Sequence, residues 1–271
     1  MRVLFLGDVV GRSGRESLKS NLLFIKKEMN IDFCIVNAEN ATSGVGLSVN
    51  HANDLFEAGA DCITLGDHAF DQKEMIGFIE KEKRIIRPLN FANSAPGRGM
   101  GVFTTYKGEK ILVLQVLGTV FMKKNFSDPF LILEKILKKY ILGVGVDTIF
   151  LDIHAEATSE KMALGLWCDG KVSMSIGTHT HVPTSDLKIL PLGSGYQSDA
   201  GMCGDYNSVI GMEKEEPISR FVTGMNRNRF QPAKGIASIC GVFFETNSNG
   251  LVKETFPIIE GGAIGKKKFI D

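Results

Sequence analysis

The chain opens with MRVLFLGDVVG, residues 1–11. Residues 3–6 form a continuous apolar run, and Gly7-Asp8 stops it. An uninterrupted apolar run of this length reads as a strand buried on both faces, the habit of a parallel sheet covered by helices. It is too short for a secretion signal and lacks a small-residue cleavage site, so it reads as a core strand. The same pattern recurs downstream. Residues 33–36 end at Asn37-Ala38-Glu39-Asn40, and residues 62–65 end at Gly66-Asp67-His68. Residues 148–151 end at Asp152-Ile153-His154, and residues 172–176 end at Gly177-Thr178-His179-Thr180-His181.

Helical patterns separate these runs. Residues 14–29 carry Leu18, Leu22, Ile25 and Met29 at helical spacing. Ser48 is placed to cap a helix carrying Leu55 and Phe56, and residues 72–83 read as a third amphipathic helix. Asp128-Pro129 opens another, with Leu133, Ile136 and Leu137 on one face, and residues 159–167 a further one. Two further strand patterns fall at 101–105 and 111–116, and the last third is richer in β signals, notably 237–245 and 254–259. The order predicts an α/β protein whose sheet becomes mixed or antiparallel, folded as a single domain over residues 1–271. A layered β-sandwich flanked by helices satisfies it. The Lys266-Lys267-Lys268 run reads as a solvated tail.

Composition narrows the function classes. Lys plus Arg is 31 and Asp plus Glu is 31, for a formal net charge of zero. That removes the usual argument for a nucleic-acid coat or a membrane-surface binder. No stretch approaches the roughly 20 apolar residues of a membrane helix. The five cysteines, Cys34, Cys62, Cys168, Cys203 and Cys240, contain no C-x-x-C pair. They read as small buried hydrophobes in a reducing compartment, and the expected address is the cytoplasm. Asn40-Ala41-Thr42 matches the glycosylation pattern only by accident in that setting. The glycine turns match neither a P-loop nor a dinucleotide fingerprint, and there is no G-x-S-x-G or H-E-x-x-H.

What remains is the set of polar residues at the strand ends. Asp8, Glu39, Asn40, Asp67, His154, His179 and His181 are seven groups able to bind a metal, and in open α/β sheets ligands gather at the carboxyl ends of strands. Imidazole suits zinc, iron or manganese, and carboxylate suits manganese or iron. Seven groups exceed the needs of one ion; two ions roughly 4 Å apart, bridged by a carboxylate, would use them. His179 and His181 lie two apart, which in a strand points both rings to one side. Taken singly, each has a plainer reading: Gly7-Asp8 as a turn, Glu39-Asn40 as a cap, His154 as a core histidine. Their conjunction favours a metal site. His51, at the start of a polar helix face, reads as a surface residue.

Several strings together resemble the calcineurin-like metallophosphoesterases, and within them the bacterial YmdB family. They are GDVVG (7–11), NAENATSGVGL (37–47), GDHAFDQKE (66–74), DIHAEATSEKMALG (152–165), GTHTHVPT (177–184) and DAGMCG (199–204), in family order over most of the chain. The resemblance implies a four-layer α/β/β/α sandwich with a dinuclear centre. It implies that one metal is held by Asp8, Glu39, Asn40 and His181, and the other by Glu39, Asp67, His154 and His179, with Glu39 bridging. It implies iron or manganese as the metals, and hydrolysis of 2′,3′-cyclic nucleotides to 3′-nucleotides beside general phosphodiesterase activity. His68 would not bind metal; it would protonate the leaving oxygen after attack by a metal-bound hydroxide.

One position departs from the pattern. The family motif normally reads Gly-Asn-His, and here it reads Gly66-Asp67-His68. Asp67 adds a negative charge, which favours a more highly charged or harder centre and puts metal identity and rate in question. Phe70 stands where Trp is common, a milder change. The expected partner is a small phosphodiester or cyclic nucleotide, with no membrane; an RNA-derived substrate and a homo-oligomer stay open. Two alternatives stand beside this reading. One is a phosphomonoesterase acting on nucleotides or phosphoproteins. The other is a regulatory protein that senses a metal-bound nucleotide with weak activity.

Overall fold

The structure is a computed structural model, and it describes residues 1–122 and 126–265. The Lys266-Lys267-Lys268 run lies outside the described residues. The first half runs β1 (Arg2–Leu6), α1 (Gly11–Glu28), β2 (Phe33–Asn37), α2 (Val49–Glu57), β3 (Cys62–Thr64), a 3-10 turn (Gly66–His68), α3 (Met75–Phe78), β4 (Ile85–Ile86), β5 (Met100–Thr104) and β6 (Lys110–Leu117). Then come α4 (Pro129–Leu137), β7 (Ile141–Leu142), β8 (Gly145–Val146), β9 (Thr148–His154), α5 (Thr158–Trp167) and β10 (Met174–Thr178). The chain continues through β11 (Lys188–Ile189), β12 (Gly195–Gln197), α6 (Glu215–Thr223), β13 (Ile239–Thr246) and β14 (Val252–Glu260).

Two six-stranded sheets carry the fold, in the orders β14-β13-β1-β2-β3-β4 and β11-β12-β10-β9-β6-β5; β7 and β8 form a small separate pair. In the first sheet β1 to β4 are parallel, and β13 and β14 add antiparallel strands beside β1. In the second, β6, β9, β10 and β12 are parallel, with β5 and β11 antiparallel at the two edges. The mixed character expected near the C-terminus is therefore present in both sheets.

The continuous apolar runs have a simple cause. Successive strand residues point to opposite faces, and both faces are covered. From β1 and β2, Val3, Phe5 and Ile35 pack with Ile111, Val113, Phe150 and Ile176 of the other sheet. The rings of Phe5 and Phe150 lie 5.0 Å apart. The intervening residues Leu4, Leu6, Cys34 and Val36 pack on Leu18, Leu22 and Leu55 of α1 and α2. On the second sheet Leu112, Leu114 and Leu151 pack on Leu133 of α4 and Leu164 of α5. Burial of each such side chain contributes about 1.5–3 kcal/mol, so any polar residue among them would be costly. All five cysteines are free and buried among these layers.

Local signals hold where a side chain can act alone. Ser48 Oγ accepts from the His51 N–H at the start of α2, and Asp128 caps α4 ahead of Pro129. Two elements differ from expectation. The helix read over 72–83 shrinks to α3. Gln72 donates to the Val45 carbonyl and Glu74 accepts from the Val49 N–H, tying the start of the segment to the 45–49 loop, and Gly77 weakens the middle. Conversely, α6 appears in a stretch expected to favour β structure. Pro217 sits in its first turns, where no N–H is needed, and left-handed Gly224 ends it. Among the described residues no helix is long and apolar enough to cross a membrane.

Candidate metal centre

The polar strand ends meet. Asp8 follows β1, Glu39 and Asn40 follow β2, and Asp67 lies in the 3-10 turn after β3. His154 ends β9, and His179 and His181 follow β10. Their metal-capable atoms form two sets, Glu39–Asp67–His154–His179 and Asp8–Glu39–His181, each spanning no more than 4.8 Å and sharing Glu39. Asn40 turns its carboxamide to the same place, 2.9 Å from Glu39 Oε1 and 3.1 Å from His181 Nε2.

In the first set, His154 Nε2 lies 3.0 Å from Glu39 Oε2, 3.2 Å from Asp67 Oδ1 and 3.1 Å from His179 Nδ1. In the second, His181 Nε2 is 3.4 Å from Asp8 Oδ2, and its Nδ1 donates to the Ile210 carbonyl. Gly66 makes the approach possible. It has φ of 59°, and a Cβ there would collide with the Glu39 carboxylate and the His154 ring.

His179 and His181 reach the centre by a different route from the one their spacing suggested. β10 stops at Thr178, and the two histidines stand beyond it with φ of 90° and 66°. Such left-handed backbone costs on the order of 1–3 kcal/mol at each non-glycine residue. The reason is visible in the bonding: the His179 N–H donates to Asp8 Oδ2 at 2.8 Å rather than to a neighbouring strand. The strand-alternation argument therefore fails, although both rings arrive where it put them.

Electrostatics mark the cluster as crowded with charge. Burial, and then the Glu39 carboxylate, push the Asp8 carboxyl well above its ordinary range. Burial also opposes the charge on Glu39, yet the His154 imidazole outweighs it and holds Glu39 low. Asp67 is depressed as well: burial resists, and His154 prevails. His154 itself, despite full burial, is held well above its usual value by Glu39 and Asp67. Burial and the neighbouring His154 push His179 down to about 4. Burial likewise lowers His181.

The donor set fits divalent cations. Asp8 Oδ1 and Glu39 Oε2 are buried without a hydrogen-bond partner. Glu39 Oε2 has His154 within ion-pair distance, but not at a hydrogen-bonding angle. Leaving such an oxygen unsatisfied costs about 1–3 kcal/mol or more, and a cation against each would satisfy both. Carboxylate oxygens beside imidazole nitrogens are the ligands that manganese and iron accept.

His68 lies outside both sets. Its side chain is about one-third exposed, and its Nδ1 lies 2.6 Å from Asp71 Oδ2. His51 is not the surface residue its position suggested. It is half-buried, with Nδ1 hydrogen-bonded to the Thr42 hydroxyl at 2.8 Å; that hydroxyl also accepts from the Ser48 N–H, so the trio ties the 42–48 loop to α2. Several supporting groups escaped the sequence reading. Asp71 holds His68, Glu156 faces His179 Nε2 at 3.2 Å, and Thr178 sits 2.8 Å from His154 Nδ1. Asp152 accepts from Thr178 in turn. Asp152 and Thr178 lie within the strand-end strings, and Asp71 and Glu156 lie close behind them, but no spacing rule marked any of the four as a supporting group.

The fold and this cluster together define a protein of the metallophosphoesterase type. The chain belongs to the YmdB-like protein family, whose model matches residues 4–258. It is 40% identical over 245 residues to the Bacillus subtilis protein named 2′,3′-cyclic-nucleotide 2′-phosphodiesterase, covering 90% of this chain and 91% of that one. A crystal structure of a hypothetical protein from Thermus thermophilus superimposes with a TM-score of 0.89 at 40% identity, covering 96% of this chain and 98% of the other. A Mycoplasma pneumoniae structure described as a novel phosphatase gives 0.88 at 41% identity, covering 97% and 94%.

Proposed function

We propose that this protein is a hydrolase of phosphoric ester bonds that cleaves phosphodiesters such as 2′,3′-cyclic nucleotides at a centre of two divalent cations, iron or manganese. The observation that carries the reading is the pair of ligand sets sharing Glu39, with two buried carboxylate oxygens otherwise unpartnered. The Bacillus subtilis relative's name supports the substrate class.

In this reading Asp8, Glu39, Asn40 and His181 would hold one cation, and Glu39, Asp67, His154 and His179 would hold the other, Glu39 being common to both sets. When bound, such a pair supplies positive charge to the phosphate oxygens and makes water acidic enough to attack near neutral pH. The remaining work falls to the chain. His68 carries a proton at Nε2 to the departing ribose oxygen, a role worth about a hundredfold or more in rate. Asp71, at Nδ1, fixes which end of that ring faces outward. Gly66 lets Glu39 and His154 close on each other without an intervening side chain.

The same reading covers the architecture and setting. Three apolar clusters, one between the sheets and one on each outer side, support a four-layer α/β/β/α arrangement in a single domain. Free, buried cysteines support a cytoplasmic address. A second reading, a phosphomonoesterase on the same centre, is favoured by the Mycoplasma pneumoniae structure's description as a phosphatase.

Metal analysis of protein purified without chelator, run beside a 2′,3′-cyclic nucleotide assay with added manganese, tests the proposal. The expected result is bound metal and a 3′-nucleotide product. Comparing bis-p-nitrophenyl phosphate with p-nitrophenyl phosphate separates diesterase from monoesterase. Tight binding of cyclic nucleotide by metal-loaded protein without turnover would replace the enzyme by a sensor.

A further inference from the structure

The proposed mechanism makes no use of Lys161, a fully buried cation on α5 that is 1% exposed. Its Nζ donates to Asp199 Oδ2 at 2.9 Å and to Thr180 Oγ1 at 3.1 Å. Asp199 is equally buried, and its Oδ2 accepts from both the N–H and the hydroxyl of Thr180, at 3.1 and 2.5 Å. Its Oδ1 accepts from the Gly201 N–H at 2.8 Å. Thr180 is the residue between His179 and His181, which belong to different ligand sets and both adopt left-handed backbone.

A buried ion pair is a poor stabiliser, because desolvating both charges can cost as much as their attraction returns. What it does supply here is direction. Three bonds fix Thr180: two from its own N–H and hydroxyl to Asp199, and one that its hydroxyl accepts from Lys161. A residue held at both backbone and side chain leaves its two neighbours little freedom. The stem of Lys161 also packs directly beneath the end of β10: a Cβ on Gly177 would lie 2.8 Å from Lys161 Cδ.

We infer that Lys161 and Asp199 are positioning residues, a clamp on Thr180 that holds His179 and His181 in the strained conformations through which both reach the metal centre. The inference rests on the metal-centre reading above.

Thr180→Val tests it, because valine keeps the side chain's shape and removes the hydroxyl that both charged groups grip. Imidazole ¹H–¹⁵N spectra of chelator-treated protein report the rings, thermal unfolding reports the fold, and a manganese titration reports binding. The His179 and His181 signals are expected to shift while that of His68 stays. Manganese affinity should fall about tenfold or more, with the unfolding temperature of the chelator-treated protein close to the parent's. Lys161→Met should move the same two signals, whatever it does to stability; if that variant fails to fold, Thr180→Val still decides. Unmoved histidine signals overturn the clamp. So does parent-like manganese affinity, and so does an affinity loss that merely tracks a falling unfolding temperature. A parent protein that takes up no manganese overturns the metal-centre reading instead, and the imidazole spectra then carry the clamp alone.

Discussion

Asp71 Oδ2 lies 2.6 Å from His68 Nδ1, three residues along the same turn, and the Asp71 N–H donates to the His68 carbonyl. Side chain and backbone thus bind the two residues into one unit beside the metal-capable cluster. The carboxylate accepts from the Nδ1–H, so Nε2 is the ring nitrogen to which the proposed function assigns the proton transfer. His68→Gln is expected to lower turnover about a hundredfold or more while bound metal stays at parent levels. Asp71→Asn should cost less, since the ring remains and only its orientation loosens. Metal analysis beside steady-state kinetics checks both; equal loss of metal and activity in His68→Gln would make the histidine a ligand instead.

Asp67 offers a second test. Its Oδ1 stands 3.2 Å from His154 Nε2, and its side chain is 15% exposed. Asp67→Asn changes the charge while almost preserving the shape, so folding should be retained. With one fewer carboxylate the site is less suited to hard, highly charged ions, and the order of metal preference is expected to change. Activity measured across manganese, iron and zinc supplies the comparison. An unchanged metal dependence would show that the charge at this position has no role in metal choice.

The strands and their polar ends were legible in the sequence because burial on both faces writes a mostly apolar run, and the polar residues gather where the run stops. Val3 to Leu6 followed by Asp8 shows this directly. The helix over 72–83 was misread because Gln72 and Glu74, polar residues on the expected outer face, bond the neighbouring 45–49 loop. α6 was missed because its exposed apolar residues, Phe221 and Val222, face solvent rather than a core. The supporting groups of the site were least legible. Lys161 meets Asp199 across 38 positions, and no local spacing rule links them. Nor does a period-two pattern describe His179 and His181, whose placement depends on left-handed backbone held by remote partners.

Removal of metal should weaken the fold as well as the chemistry. Asp8 and Glu39 are buried, and each keeps an oxygen with no hydrogen-bond partner. A cation present at a hundred times its dissociation constant adds about 2.7 kcal/mol, which for a chain of this size raises the unfolding temperature by roughly 5–10 °C. Chelator-treated protein should therefore melt lower by about that amount and recover on addition of manganese. Calorimetry with and without manganese reads the difference; identical melting curves would mean that no cation binds the cluster.

The last prediction concerns Thr178 and Asp152. Asp152 is completely buried, and it accepts from Asn37 and Thr64 of one sheet and from Gln115 and Thr178 of the other. As a carboxylate it only accepts, so the single Thr178 hydroxyl proton goes to it at 2.7 Å. That hydroxyl must then accept from His154 Nδ1, 2.8 Å away. The relay leaves Nε2 as the nitrogen facing Glu39 and Asp67, the tautomer a cation needs. Thr178→Val breaks it at the middle. Affinity for the cation at Glu39, Asp67, His154 and His179 should fall about 10- to 100-fold. Stability should fall by about 1–3 kcal/mol, because Asp152 and His154 each lose a buried partner. Manganese titration read beside thermal unfolding separates the two effects. A variant that melts lower yet binds manganese as the parent does would show that Thr178 only joins the sheets and does not orient His154.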